Sequence, residues 1–128
     1  MPKPTRIGIA IVECAGQFLV GERRADGPLA GYAEFPGGKC LPDEPPHETA
    51  RRECREETGL DVTPLELIEE RIFTYAHGEV HLFFCRCTLE SQSEALPSPL
   101  NGFRWVDRSE LKTLKFPEAN QSVLAKLR

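Results

Sequence analysis

Residues 37–60 read GGKCLPDEPPHETARRECREETGL. Pro45 and Pro46 suit the first turn of a helix, where a missing N–H donor costs little, and Gly59 suits its end. The spacing predicts a helix over 44–58. Within it Glu53, Glu56 and Glu57 fall at i, i+3 and i+4 and share one face, where each like-charged pair costs about 0.2–0.5 kcal/mol. The other side offers only Ala50 and Cys54 as apolar positions, and Arg51, Arg52 and Arg55 flank the acids. Such a helix is either a solvated face laced with ion pairs or a carboxylate cluster for a hard divalent cation. Mg²⁺ takes oxygen ligands and shares its coordination with substrate phosphates. The charge pattern alone leaves both readings open.

The flanks bear on that choice. Gly37-Gly38 permits positive φ and close backbone approach, so a backbone carbonyl can join a coordination sphere. Glu44 at the start of the helix suits the positive end of its dipole. Arg52, four residues before Glu56, is placed to orient that carboxylate.

Outward from this stretch the chain reads as strands and a few short helices. Residues 6–13 are β-branched and apolar, a buried strand. A turn at 14–17 leads to a second strand over 18–23. Asp26-Gly27-Pro28 and Ala30-Gly31 mark a loop, and 33–36 run into a break at Pro36-Gly37-Gly38. Residues 65–76 and 79–89 are two longer strands around His77-Gly78. A polar loop over 90–101 carries Ser91, Ser93, Pro97, Ser98 and Pro99. A short strand with Trp105 follows, then one helical turn over 109–114. A last helix starts at Pro117, a favoured first-turn residue. The sum is an α/β chain with a mixed sheet and helices packed on it. No Walker loop, dinucleotide fingerprint or internal repeat is present.

The 128 residues suit one domain, 1–128. An apolar fraction of 40% and a charged fraction of 28% are those of an ordinary soluble protein, and no run is long enough to span a membrane. Met1-Pro2-Lys3-Pro4 leads straight into a strand without a signal peptide, so a cytoplasmic location is expected. Five cysteines (Cys14, Cys40, Cys54, Cys85, Cys87) are an odd count for a disulfide framework; reduced, mostly buried thiols are expected. A net charge of −4 argues against nucleic-acid polymers as partners and leaves a phosphorylated small molecule open, since a bound cation can offset local acidity.

The same 24 residues resemble the signature of the Nudix hydrolases: Gly, five residues, Glu, seven residues, Arg-Glu, an aliphatic, one residue, Glu-Glu, one residue, Gly, an aliphatic. Here these are Gly38, Glu44, Arg52, Glu53, Cys54, Glu56, Glu57, Gly59 and Leu60. The one departure is Cys54, a small hydrophobe where an aliphatic is usual. The resemblance implies the Nudix fold, an α/β/α sandwich around a mixed β-sheet. It implies Mg²⁺ or Mn²⁺ held by Glu53, Glu56 and Glu57 with the Gly37 carbonyl, Arg52 in the catalytic set, and Gly38, Glu44 and Gly59 in structural roles. Its reaction is attack of an activated water on a phosphorus of a nucleotide. A nucleotide is the implied partner, and a monomer or weak homodimer is expected.

Similarity extends to MutT-type members of that family. Glu34-Phe35-Pro36-Gly37-Gly38-Lys39 is similar to their pre-signature segment, Arg23 to their basic residue after the second strand, and Phe116 to Asn120 to their closing motif. The resemblance implies substrate contacts from Arg23, Glu34, Phe35, Pro36, Gly37, Gly38, Lys39 and Asn120. Asn120 is the base reader, since an amide donates and accepts at once. Its alternative is a polar residue in an amphipathic helix; that of Phe35 is the core. Pro28 replaces a histidine and Gly78 a basic residue, and the loop holding Glu90 and Glu94 has no clear match to a further MutT-type carboxylate. His77 and His81 flank the hairpin turn. The implied substrate is 8-oxo-dGTP or a related purine triphosphate. The alternatives are a pyrophosphatase for CTP, methylated pyrimidine nucleotides or another nucleoside diphosphate derivative, and a domain that senses a nucleotide without cleaving it.

Overall fold

The computed structural model describes residues 3–76, 78–90 and 95–127; Met1-Pro2, His77, Ser91, Ser93 and Glu94 lie outside these. In chain order the elements are β1 (Thr5–Cys14), β2 (Gln17–Glu22), β3 (Ala33–Glu34), β4 (Gly37–Lys39), α1 (Pro46–Thr58), β5 (Val62–Tyr75), β6 (Gly78–Leu89), β7 (Arg104–Asp107) and α2 (Arg108–Leu111), then a 3-10 turn (Glu118–Asn120) and α3 (Gln121–Lys126). β1 is central. It pairs in parallel with β6 and antiparallel with β2 and β4. β5 closes one side against β6, while β3 and β7 extend the sheet from β2. The expected mixed sheet is therefore present. Among the described residues no helix is long and apolar enough to cross a membrane.

Alternation along β1 and β6 divides the interior in two. Ala10, Val12, Cys85 and Cys87 face α1, joining Ala50, Cys54, Val62 and Phe103. Ile11 and Phe84 face the other way, among Phe18, Val20, Phe35, Phe116, Val123 and Leu127. A strand buried on both faces has no polar side, which is why β1 reads as a nearly continuous apolar run. Cys54, Cys85 and Cys87 are buried and all five cysteines are free thiols.

Gly8 lets α1 lie directly on β1. A Cβ there would stand 2.4 Å from the Pro46 carbonyl oxygen and 2.7 Å from the Thr49 Cβ. Thr49 and Thr58 join Ala50 and Cys54 on the buried face of the helix. Both hydroxyls bond locally: Thr49 donates to Glu44 and Thr58 to the Cys54 carbonyl, each at 2.7 Å. This explains how so polar a helix packs.

Three sequence expectations need correction. The helix begins at Pro46, so Glu44 lies before it and does not cap it. Gly37-Gly38 is a short strand against Gly8 and Ile9 and uses no positive φ; its glycines serve close approach alone. The last segment opens as a 3-10 turn, which sets Asn120 at the junction with α3.

Candidate active site

Arg52 organises the start of α1. Its Nε and Nη2 donate to the two Glu44 oxygens at 2.9 and 3.0 Å, a bidentate pair. Nη1 donates to Glu53 at 2.9 Å and Nη2 to the Lys39 carbonyl at 3.2 Å. Glu44 also accepts from the Thr49 hydroxyl and the Leu41 amide. Hydrogen bonds from Arg52 and then Thr49 hold the Glu44 carboxyl down at about 2. The main partners of Arg52 are thus Glu44 and Glu53. Arg52 also donates through Nη1 to both oxygens of Glu56, the carboxylate it was expected to orient, at the longer distance of 3.4 Å, and Glu56 is largely exposed.

Glu57 and Glu53 press against the glycines of β4. The Glu57 carboxylate accepts from the Gly37 amide at 2.8 Å. A Cβ on Gly38 would stand 2.5 Å from the Glu53 carboxyl carbon, so glycine leaves the space that this carboxylate fills. Burial pushes the Glu57 carboxyl up to about 7, and the neighbouring charges of Glu53, Glu34 and Glu56 add to the rise against the Gly37 hydrogen bond. A site that crowds hard oxygen donors until one resists ionisation is chemically suited to a divalent cation, which removes the repulsion. Among the described residues, however, no three acidic, histidine or cysteine side chains converge in this arrangement. Arg52 and the Gly37 amide hold two of them.

Gly37 and Gly38 also line a cavity of about 450 Å³. Ile7, Ile9, Val80 and Leu82 line its apolar wall, and Pro28, Leu29, Tyr75, Pro117 and Ala119 also border it. Arg23, Glu34, Phe35 and Asn120 complete the lining. Arg23 follows β2, donates to the Pro28 carbonyl at 3.0 Å and lies 3.7 Å from Glu34. Burial raises the Glu34 carboxyl above its ordinary range, and Arg23 opposes that rise. Phe35 belongs to both alternatives at once: it stacks on Phe116 in the core with centroids 4.9 Å apart and also lines the cavity.

The structure therefore gathers Arg23, Glu34, Phe35, Gly37, Gly38 and Asn120 around one space. Pro36 is instead buried, its carbonyl accepting from the Ala10 amide, and Lys39 is exposed on β4; neither lines the cavity. His81 donates through Nε2 to Glu70 at 2.7 Å and stacks on Phe83, apart from the cavity lining. Glu90 lies 3.8 Å from Arg51, which is about half a turn around the helix from Glu53, so it does not join the acids.

Sequence reasoning missed Leu29 and Tyr75. Both are 43% exposed, apolar and at the cavity rim, and Leu29 has a φ of 57°. Neither carries a local signal. It also missed the anchoring of the loop before β7: Asn101 donates to the Glu57 carbonyl at 2.6 Å, and the Leu100 amide to that of Thr58 at 2.9 Å. These bonds satisfy carbonyls at the free end of α1.

A family model described as NUDIX domain matches residues 2–127. The chain is 30% identical to an 8-oxo-dGTP diphosphatase of Escherichia coli K12, over 98% of each chain. It is 39% identical to a CTP pyrophosphohydrolase of the same organism, over 62% of this chain and 59% of that one. A solved MutT structure from methicillin-resistant Staphylococcus aureus 252 superposes with a TM-score of 0.76 at 27% identity, covering 99% of this chain and 97% of that one.

Proposed function

From the premise that the chain belongs to the Nudix family of hydrolases, we propose that it is a divalent-cation-dependent pyrophosphohydrolase converting 8-oxo-dGTP, or a related purine nucleoside triphosphate, to the monophosphate and pyrophosphate. One observation carries this reading. Glu57 and Glu53 of α1 contact Gly37 and Gly38, and the same two glycines line a cavity with Asn120 on its wall. A nucleotide with its base in that cavity presents its phosphates towards α1. The relative at 30% identity over nearly its whole length, itself an 8-oxo-dGTP diphosphatase, supports the substrate class.

Glu53, Glu56 and Glu57, with the Gly37 carbonyl, would hold Mg²⁺ or Mn²⁺, which when bound neutralises phosphate oxygens and acidifies a water. The chain's own groups do the rest. Arg52 anchors Glu53 and, through Glu44, ties the loop before the helix to it. Arg23 offers a fixed cation at the cavity edge for phosphate or base oxygen. Asn120 reads the base edge with a donor and an acceptor. Phe35 and the aliphatic wall exclude water from the base.

A second reading has its own support. Pro28 and Leu29 border the cavity without a side-chain hydrogen-bonding group, and one relative is a CTP pyrophosphohydrolase. The deciding experiment incubates purified protein and Mg²⁺ with 8-oxo-dGTP, the normal dNTPs and NTPs, and ADP-ribose. Selective formation of 8-oxo-dGMP and pyrophosphate is expected. Preferential cleavage of CTP would transfer the assignment to the second reading. Nucleotide binding without cleavage of any substrate would refute both and leave a sensor.

A further inference from the structure

Apart from the site, one carboxylate among the described residues is buried. Glu69 on β5 is 9% exposed. One carboxylate oxygen accepts from the Ser122 hydroxyl at 2.7 Å and lies 3.0 Å from the Lys126 ammonium. The other oxygen is buried without a hydrogen-bond partner among the described residues, as is the Nε of nearby Arg71. Burial raises this carboxyl, but the Ser122 and Lys126 hydrogen bonds outweigh it and the net shift is downward, so the group is charged.

The backbone is irregular at this point. Leu67 stands opposite Cys85 and Glu69 opposite Phe84, with a register shift between them. Adjacent residues of β6 point to opposite faces, so the bulge sends Leu67 and Glu69, two residues apart, to opposite faces as well. Glu69 is thereby aimed at the face where Val123 and Leu127 of α3 pack. Ser122 and Lys126 are four residues apart and share one side of α3. Asn120 lies two residues before Ser122, at the start of that helix.

A buried carboxylate with an unpaired oxygen contributes little net stability; an apolar residue of similar volume often does better. What such a group can specify is register. We propose that Glu69 is a positioning residue for Asn120: it locks α3 against β5 through Ser122 and Lys126, and so sets where the Asn120 amide enters the cavity. Apolar packing of Val123 and Leu127 tolerates small slides of the helix, whereas a two-pronged hydrogen bond does not. This rests on the reading of Asn120 as base reader.

The test has two arms, so that a failure of the clamp and of that reading are separable. In the first, amide hydrogen exchange is compared in wild type, Glu69→Gln, Ser122→Ala and Lys126→Met. Amides of 118–127 should exchange at least tenfold faster in the variants while those of 46–58 stay unchanged. The second arm measures kcat/KM for the preferred base against a poor one. Glu69→Gln and Asn120→Ala should each lower that ratio about tenfold, through KM rather than kcat, and the double variant should be no worse than Asn120→Ala. Unchanged exchange at 118–127 overturns the clamp whatever the kinetics. Faster exchange with base preference lost on Asn120→Ala but retained on Glu69→Gln overturns the positioning of Asn120. Faster exchange with preference retained in both overturns the base-reader reading and, with it, the positioning role. If Glu69→Gln fails to fold, the two α3 variants measure the same clamp.

Discussion

The acidic helix and the cavity, which meet at Gly37-Gly38, are built in different ways. On the one hand, the acids and their organising arginine come from the local stretch 44–57, in which Arg52, Glu53, Glu56 and Glu57 share one helix. On the other, the cavity wall is assembled from β1, the segment after β2, β3, the β5–β6 hairpin and the turn before α3. Electrostatics dominate the first: an arginine clamped between Glu44 and Glu53, and a Glu57 carboxyl pushed up to about 7. Shape and burial dominate the second. Chemistry that demands several like charges at short range is most simply arranged on one helix, because a single element fixes their spacing. Recognition of a base needs walls on several sides, and only distant segments supply them.

If that division holds, substitutions on the two sides should fail in different ways. The largest effect should come from Glu57→Gln, which removes one charge from the acid cluster. Turnover with Mg²⁺ should fall on the order of a thousandfold, while thermal unfolding shifts little or upwards, because a buried, repelled carboxyl is replaced by a neutral amide. Activity within threefold of wild type would remove Glu57 from the metal site.

Next comes Glu44→Gln, which breaks the bidentate pair with Arg52. We expect a loss of roughly 2 kcal/mol in urea unfolding and a smaller, secondary fall in turnover. The pH dependence follows from the sign of the shift. The folded carboxyl, at about 2, lies below its ordinary 4.5, so its contribution is complete above about pH 4.5 and is lost as pH falls towards 2. The variant should lack that acid-sensitive component; an unchanged pH profile would refute the clamp.

Asn120→Ala tests the opposite wall. Discrimination between bases should fall by about 1–3 kcal/mol, measured as the ratio of kcat/KM values, with kcat on the best substrate nearly retained. Equal loss on all bases would make Asn120 a structural residue. The smallest effect is expected from Cys54→Val. Cys54 is fully buried and burial pushes its thiol up to about 11, so it is inert packing. An aliphatic residue of similar volume should change stability by less than about 1.5 kcal/mol and leave turnover alone. A large loss would give weight to the 3.6 Å contact between its sulfur and the Thr58 hydroxyl.

The residues legible from spacing alone share one property: their partners are close along the chain, whereas Arg23, Glu34, Phe35 and Asn120, gathered from distant segments, are legible only through the family resemblance. Glu53, Glu56, Glu57 and Arg52 are legible because 3.6 residues per turn converts spacing into proximity. The apolar runs of β1 and β6 are legible because double-sided burial removes every polar position. By contrast, the pairing of Glu44 with Arg52 rather than with the helix amides depends on how the 40–45 loop turns back. Leu29, in the loop after β2, and Tyr75, at the end of β5, reach the same rim, and no local pattern marks them.

The sequence by itself determined the α/β class, the acidic helix, its glycine stop and the family signature, since each depends on short-range sterics and periodicity. Tertiary structure alone decided the rest. It turned a supposed break at Gly37-Gly38 into a strand that meets both acids and cavity, sent Pro36 and Lys39 away from that cavity, and used a bulge in β5 to aim Glu69 at the helix that follows Asn120. The reason is physical: strand register and helix docking are fixed by which surfaces bury one another, and that is a property of the whole chain.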